Sequence, residues 1–128
     1  MKDKLKILVG IDGSEHSKNA LREAINVAQK FSGSIKVLTV YKRGMDKEAE
    51  EILEEAEQLL KKEKIDYSLS SILGSNPSRA LVDTAEHENF DLIVVGSRGL
   101  GSAVAFLLGS VSRGVVSKAH CDVLVIKE

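Results

Sequence analysis

Residues 91–102 read DLIVVGSRGLGS, an apolar run that ends in three glycines within six residues. A short, nearly continuous apolar run is typical of a parallel strand that is covered on both faces of its sheet. The glycines leave backbone N–H groups open to close approach by another group. The stretch therefore predicts a buried strand over Phe90–Val95, followed by a loop with an unusually accessible backbone.

Short apolar runs alternate with helical periodicity on both sides of this stretch. The predicted strands are Leu5–Ile11, Ser34–Tyr41, Asp66–Leu73, Phe90–Val95 and Val123–Lys127. The predicted helices are Ser17–Phe31, about Asp46–Lys64, Pro77–Glu88 and about Ser110–Ala119. This strict alternation predicts an α/β fold with a parallel sheet and helices on both of its faces.

The polarity of the strands predicts their order in the sheet. The first, second and fourth strands are the most apolar and should be central, whereas the third contains serines and the fifth is short. With right-handed crossovers, an open five-stranded sheet then has the order 3-2-1-4-5. Ligands of such sheets bind beyond the carboxyl ends of the strands, where the chain reverses direction. We therefore expect the loops Gly10–Ser14 and Gly96–Gly101 to form a site.

Composition excludes several other classes of function. The chain has 128 residues, which fits a single domain over 1–128, and its net charge is −1. Such a balance gives no general attraction to nucleic acid or to an anionic membrane. Cys121 is the only cysteine, so no internal disulfide can form. The first residues lack a long apolar run, and we expect a cytoplasmic protein that contacts neither membrane nor nucleic acid.

The glycine loop and the start of the last helix together suit a phosphate. Gly109-Ser110 begins that helix, and a helix N-terminus offers unpaired N–H donors and a partial positive charge. A hydroxyl at that position can also donate to a phosphate oxygen. The alternative is that the glycines only allow the chain to turn and that Ser110 is an ordinary N-cap. Short glycine motifs occur often by chance, and both interpretations stay open on spacing alone.

The loop after the first strand contains a carboxylate, Asp12, that could accept hydrogen bonds from ribose hydroxyls. The alternative is that Asp12 caps the first helix, although Ser14 or Ser17 could take that role instead. The P-loop pattern is absent from the sequence. The dinucleotide fingerprint Gly-x-Gly-x-x-Gly is absent after the first strand.

The spacing Gly96-x2-Gly99-x9-Gly109-Ser110 resembles the ATP-binding signature of universal stress proteins. Nearly the whole chain shares the resemblance. The other matching segments are residues 7–14 (ILVGIDGS), 74–77 (GSNP), 91–99 (DLIVVGSRG), 109–112 (GSVS) and 121–126 (CDVLVI). The resemblance implies a Rossmann-like fold of the adenine nucleotide alpha hydrolase type, homodimers, and membership of the branch that binds ATP.

The resemblance also implies roles for individual residues. Asp12 would contact the ribose, and the backbone around Ile11 and Val40 would flank the adenine. The residues implied for the phosphates are Gly96, Gly99, Gly101, Gly109, Ser110 and Val111. Ser97 and Arg98 are further candidates from their place in the glycine loop, although Arg98 could equally be a solvated loop arginine. Asp12 could instead hold Mg²⁺; no other metal ligand is expected.

The chain departs from the family at two places. The segment Lys42–Met45 is short where relatives often carry an insertion, which leaves the adenine side more open. Asp122 stands where relatives often have proline.

The remaining reactive residues point to no catalytic centre. His16, His87 and His120 fall on separate elements, and we expect them to be solvated. Cys121 is expected to be a buried or half-buried small residue rather than a nucleophile. The leading hypothesis is a stress-response regulator whose bound ATP biases dimer or partner interactions. The alternatives are a slow ATPase or phosphoryl-transfer protein and a dimeric module that binds no nucleotide.

The last strand is the predicted dimer contact. Val123-Leu124-Val125-Ile126 is an apolar run at a sheet edge, and such an edge templates aggregation unless it is covered. A second copy of the chain would cover it through an isologous contact.

Overall fold

A computed structural model describes residues 4–97 and 109–127. The described residues form nine elements in strict alternation. They are β1 (Lys6–Gly10), α1 (Glu15–Lys30), β2 (Ser34–Tyr41), α2 (Asp46–Leu60), β3 (Tyr67–Leu73), α3 (Pro77–His87), β4 (Leu92–Gly96), α4 (Ser110–Lys118) and β5 (Asp122–Ile126). Arg98, Gly99 and Gly101, which the sequence predicts to contact phosphate, lie outside the described residues.

The strands form a parallel sheet in the order β3-β2-β1-β4-β5, which confirms the predicted topology. β1 pairs with β2 on one side and with β4 on the other, and the last β1–β4 pair is Val9 with Val94. The chain reverses direction between these two strands. The segments that follow Gly10 and Gly96 therefore leave the sheet side by side at its carboxyl edge.

The two faces of the sheet have separate apolar cores because side chains alternate along each strand. Ile7, Val9 and Val94 point to the face covered by α1 and α2. Leu8 and Ile93 point to the opposite face. There they pack with residues of α3 and α4, namely Leu81, Ala85 and Val115. This burial on both faces explains why the central strands are apolar without alternation.

Side-chain caps fix where two of the helices begin. Ser14 Oγ accepts a hydrogen bond from Ser17 N–H at 3.2 Å, so α1 begins at Glu15, two residues before the predicted start. Asn76 Oδ1 accepts from Arg79 N–H at 3.1 Å, and Pro77 takes the first position of α3 as expected. Replacing such a cap by alanine costs about 1 kcal/mol. The position of the α1 start matters because Asp12 lies two residues before its cap.

None of the helices in residues 4–97 and 109–127 is long and apolar enough to cross a membrane.

Candidate functional site

The loop after β1 is fixed by the first turn of α1. Asp12 Oδ1 accepts a hydrogen bond from Ser14 N–H at 2.9 Å, while Asp12 N–H donates to Ser17 Oγ at 3.2 Å. Ser17 Oγ in turn donates to the Ser14 carbonyl at 3.0 Å. The helix cap is Ser14, so the alternative in which Asp12 caps α1 is wrong. The half-buried Asp12 carboxylate is held at the carboxyl edge of the sheet, beside the switch point.

The turn after β4 is built around Ser97. Its N–H donates to the Ile126 carbonyl at 2.8 Å, which ties the turn to the end of β5. Its carbonyl accepts from Gly109 N–H at 2.6 Å and from Ser112 Oγ at 3.0 Å. These two bonds bring the start of α4 against the end of β4. The chain leaves the sheet at Ser97 and returns to the same point at Gly109.

The start of α4 has no side-chain cap. Gly109 is the N-cap and Ser110 is the first helical residue, so the alternative in which Ser110 caps the helix is wrong. Ser110 is exposed, whereas Val111 packs partly against the core of the α3/α4 face. A nine-residue helix with a glycine cap has its first N–H donors and the positive end of its dipole at this point. This arrangement suits an anion at the carboxyl edge of the sheet.

The packing of α1 against β4 leaves no room for a side chain at position 96. A methyl group on Gly96 would lie 2.7 Å from the His16 carbonyl carbon and 2.8 Å from its Cβ. Real Cβ atoms do not come this close to backbone, so alanine at this position would force α1 away from β4. The glycine is therefore required by packing, whatever ligand the loop binds.

His16 is the residue that sequence reasoning missed. It is half-buried, and its Nδ1 lies 3.2 Å from Ser97 Oγ, so the expectation of a solvated histidine is wrong. The two positions are 81 residues apart along the chain. Their contact follows from the packing of α1 on β4, and no local sequence signal could have indicated it.

The residues implied for the base lie on the β2 side of the same edge. Ile11 N–H donates to the Leu38 carbonyl at 3.0 Å, which continues the β1–β2 ladder beyond the strand. Val40 is half-buried near the carboxyl end of β2 and pairs with Ile72 of β3. The structure thus brings Asp12 and the α4 start to the edge that also contains Ile11 and Val40.

A groove of about 200 Å³ lies between α1 and α2, and Ile11 is one of its lining residues. Its lining is mixed, with Leu21 and Ile52 among the apolar residues, and a salt bridge between Lys18 and Glu55 joins the two helices at 2.9 Å. The hydrogen bond to Glu55 raises the pKa of Lys18 above its ordinary value. Gly13, with φ +88°, links this groove to the loop that carries Asp12.

Cys121 is half-buried beside the core of the α3/α4 face, as expected. Burial raises the pKa of its thiol, which favours the protonated form over the nucleophilic thiolate. Within the described ranges, no group of three or more His, Cys, Asp or Glu side chains is arranged to hold a metal ion.

Comparison with known proteins shows the family to which the chain belongs. The model of the universal stress protein family matches residues 5–127. The chain belongs to this family. A universal stress protein of Thermus aquaticus is 34% identical over 133 residues, and the match covers 94% of this chain and 97% of the relative.

Two solved universal stress proteins resemble the chain in structure and are described with a bound nucleotide. One, in complex with cAMP, has a TM-score of 0.80 at 29% identity and covers 96% of this chain and 97% of its own. The other, from Archaeoglobus fulgidus in complex with dAMP, has a TM-score of 0.79 at 27% identity and covers 96% of this chain and 98% of its own.

Proposed function

We propose that this universal stress protein binds an adenine nucleotide, and ATP in particular, at the switch point between β1 and β4. The observation that carries the proposal is the bond from Gly109 N–H to the Ser97 carbonyl. It sets the glycine-capped start of α4 at the sheet edge where Asp12 is held by the start of α1. An anion donor site and a carboxylate at one edge match the two ends of a nucleotide. The cAMP and dAMP complexes of the two relatives support the same class of ligand.

The candidate residues correspond to three parts of this ligand. Gly96, Ser97, Gly109, Ser110 and Val111 would face the phosphates, with the backbone N–H groups of α4 as the main donors. Arg98, Gly99 and Gly101 would complete the phosphate site. Asp12 would accept hydrogen bonds from the ribose, and the backbone of Ile11 and Val40 would flank the adenine.

We infer a regulatory role in the stress response rather than catalysis. Phosphoryl transfer needs a positioned nucleophile and stabilisation of developing charge, usually by Mg²⁺. Asp12 is assigned to the ribose here, and its Oδ1 already accepts from Ser14 N–H. A bound nucleotide would instead contact Ser97 and the start of α4. Ser97 N–H is bonded to the end of β5, so nucleotide binding would also reach the proposed dimer edge.

Calorimetry with ATP, adenosine and inorganic tripolyphosphate tests the proposal. We expect ATP to bind more tightly than either fragment, because only ATP engages both ends of the site. Mass spectrometry of the denatured, freshly purified protein should show an adenine nucleotide. The proposal is wrong if none co-purifies and no titration shows binding.

Ser110→Ala tests the phosphate end. Loss of a hydrogen bond to a charged group costs about 1.5–3 kcal/mol, so ATP affinity should fall roughly ten- to hundredfold. Ser117→Ala is the matched control, because Ser117 is an exposed serine of the same helix whose Oγ donates to the Gly114 carbonyl. Equal ATP affinity for the two variants would remove Ser110 from the site.

A further inference from the structure

We propose that His16 is a positioning residue of the nucleotide site, which fixes the phosphate end by holding the side chain of Ser97. The inference rests on the proposed nucleotide function. It adds His16 of α1, which would affect the phosphate side of the site through Ser97.

The backbone of Ser97 makes three hydrogen bonds, and His16 contacts its side chain. Its N–H is bonded to the end of β5, and its carbonyl accepts from Gly109 N–H and Ser112 Oγ. Ser97 is only 7% exposed. Its hydroxyl meets His16 Nδ1 at 3.2 Å, and the tautomer of the ring decides which of the two groups donates. The position of the α4 start therefore depends on a turn that His16 helps to hold.

The backbone of His16 is held independently of its side chain. It packs directly on Gly96, and Ser14 caps the turn from which it projects. Changing the imidazole therefore leaves the contact between α1 and β4 in place. The same first turn of α1 holds Asp12 through Ser14 and Ser17. One helical turn thus contacts both the ribose side and the phosphate side of the proposed site.

The arrangement predicts that the side chain of His16 affects one end of the nucleotide more than the other. In His16→Leu the hydroxyl of Ser97 loses its partner, and the bond from Gly109 N–H to the Ser97 carbonyl loosens. Affinity for ATP and for tripolyphosphate should fall about three- to tenfold, the value of one neutral hydrogen bond. Affinity for adenosine should stay unchanged, because Asp12 is held by Ser14 and Ser17.

His16→Asn provides the rescue that separates positioning from general destabilisation. The amide of asparagine places a hydrogen-bonding atom at the same branch position as Nδ1, so Ser97 regains a partner. We expect ATP affinity within about twofold of the unmodified protein, because the hydrogen bonds that asparagine and histidine make to Ser97 differ little in free energy. His120→Leu is the control for loss of a histidine, because His120 is exposed between α4 and β5, near Glu86 of α3 on the other face of the sheet.

A double-mutant cycle and a measurement without ligand complete the test. His16→Leu combined with Ser97→Ala should weaken ATP by less than the sum of the two single losses, because both changes remove the same bond. In the nucleotide-free protein, amide exchange of Gly109 should speed up about three- to tenfold in His16→Leu and return to normal in His16→Asn.

The outcomes are distinguishable. Failure of the unmodified protein to bind ATP overturns the proposed function, while the exchange rates of Gly109 still decide whether His16 holds the turn. Unchanged Gly109 exchange in His16→Leu overturns the role of His16. Additive losses in the cycle, or equal losses for adenosine and tripolyphosphate, overturn it as well.

Discussion

At the scale of single residues, the site is defined by which polar group meets which backbone atom. The sequence leaves open whether Asp12 caps α1 or faces a ligand. In the structure Ser14 caps α1, and Asp12 accepts a hydrogen bond from Ser14 N–H. Ser97 and Gly109 make the corresponding contact on the other side of the switch point. These short bonds place a carboxylate and a helix N-terminus at one edge.

Asp12→Ala should separate the nucleoside end of the site from its phosphate end. Loss of a carboxylate that accepts from the ribose should weaken ATP and adenosine roughly ten- to hundredfold, by about 1.5–3 kcal/mol, and leave tripolyphosphate unchanged. Calorimetry with the three ligands gives the comparison. Asp12→Asn keeps an acceptor for Ser14 N–H and controls for disturbance of the loop. If tripolyphosphate weakens as much as ATP, Asp12 acts through Mg²⁺ or through the fold.

Cys121 should react slowly with thiol reagents in the folded protein. Burial raises the pKa of its thiol above the ordinary 9.0, so less thiolate is present at any pH below that value. The raised pKa favours the folded state while the thiol is protonated, and this contribution is lost as pH rises through the folded pKa. Alkylation by iodoacetamide at pH 8, with and without denaturant, measures the difference. Equal rates would show that the thiol is not shielded.

At the scale of elements, the fold could be predicted from hydrophobic patterning, whereas contacts between elements could not. Apolar runs and periodicity indicated all nine elements and the strand order. The predicted end of α2 at about Lys64 is wrong, because the helix ends at Leu60, the last residue of its apolar pattern. The contact of His16 with Ser97, and the need for glycine at position 96, depend on how α1 crosses β4. The local sequence does not predict how two elements pack against each other.

The crossing of α3 and α4 depends on another glycine, Gly114. A methyl group there would lie 2.7 Å from Ser78 Cβ, which cannot move without shifting the first turn of α3. Alanine would gain about 0.5–1 kcal/mol in helix propensity but would lose about 1–3 kcal/mol to overpacking. We therefore expect Gly114→Ala to lower the free energy of unfolding, measured by urea denaturation.

A second change provides the control for this prediction. Ser78→Gly opens the space that the methyl group would fill, so the double variant Gly114→Ala with Ser78→Gly should recover most of the overpacking cost. Additive losses from the two changes would show that the helices do not meet as described. A stabilised Gly114→Ala variant would lead to the same conclusion.

At the scale of the whole molecule, the two edges of the sheet differ in how they are covered. β3 carries serines and its Tyr67 hydroxyl donates to Glu57 Oε2 of α2 at 2.8 Å. β5 is apolar, and Val123–Ile126 remain half-buried beside the cores. An apolar edge with unpaired backbone groups favours pairing with another chain. We propose that a second copy of this chain covers β5 and forms the homodimer.

Val125→Pro tests that contact without breaking the sheet. The Ile126 carbonyl accepts from Ser97 N–H, so the backbone of Ile126 faces β4. The N–H of Val125 must then face the free edge, since successive residues of a strand point in opposite directions. Proline there removes a donor from the proposed dimer contact only, whereas Ile126→Pro would disturb the β4–β5 pairing itself. We expect light scattering at micromolar concentration to give the mass of two chains for the unmodified protein and of one chain for a folded Val125→Pro variant. A one-chain mass for the unmodified protein would refute the dimer, and a two-chain mass for Val125→Pro would move the contact away from β5.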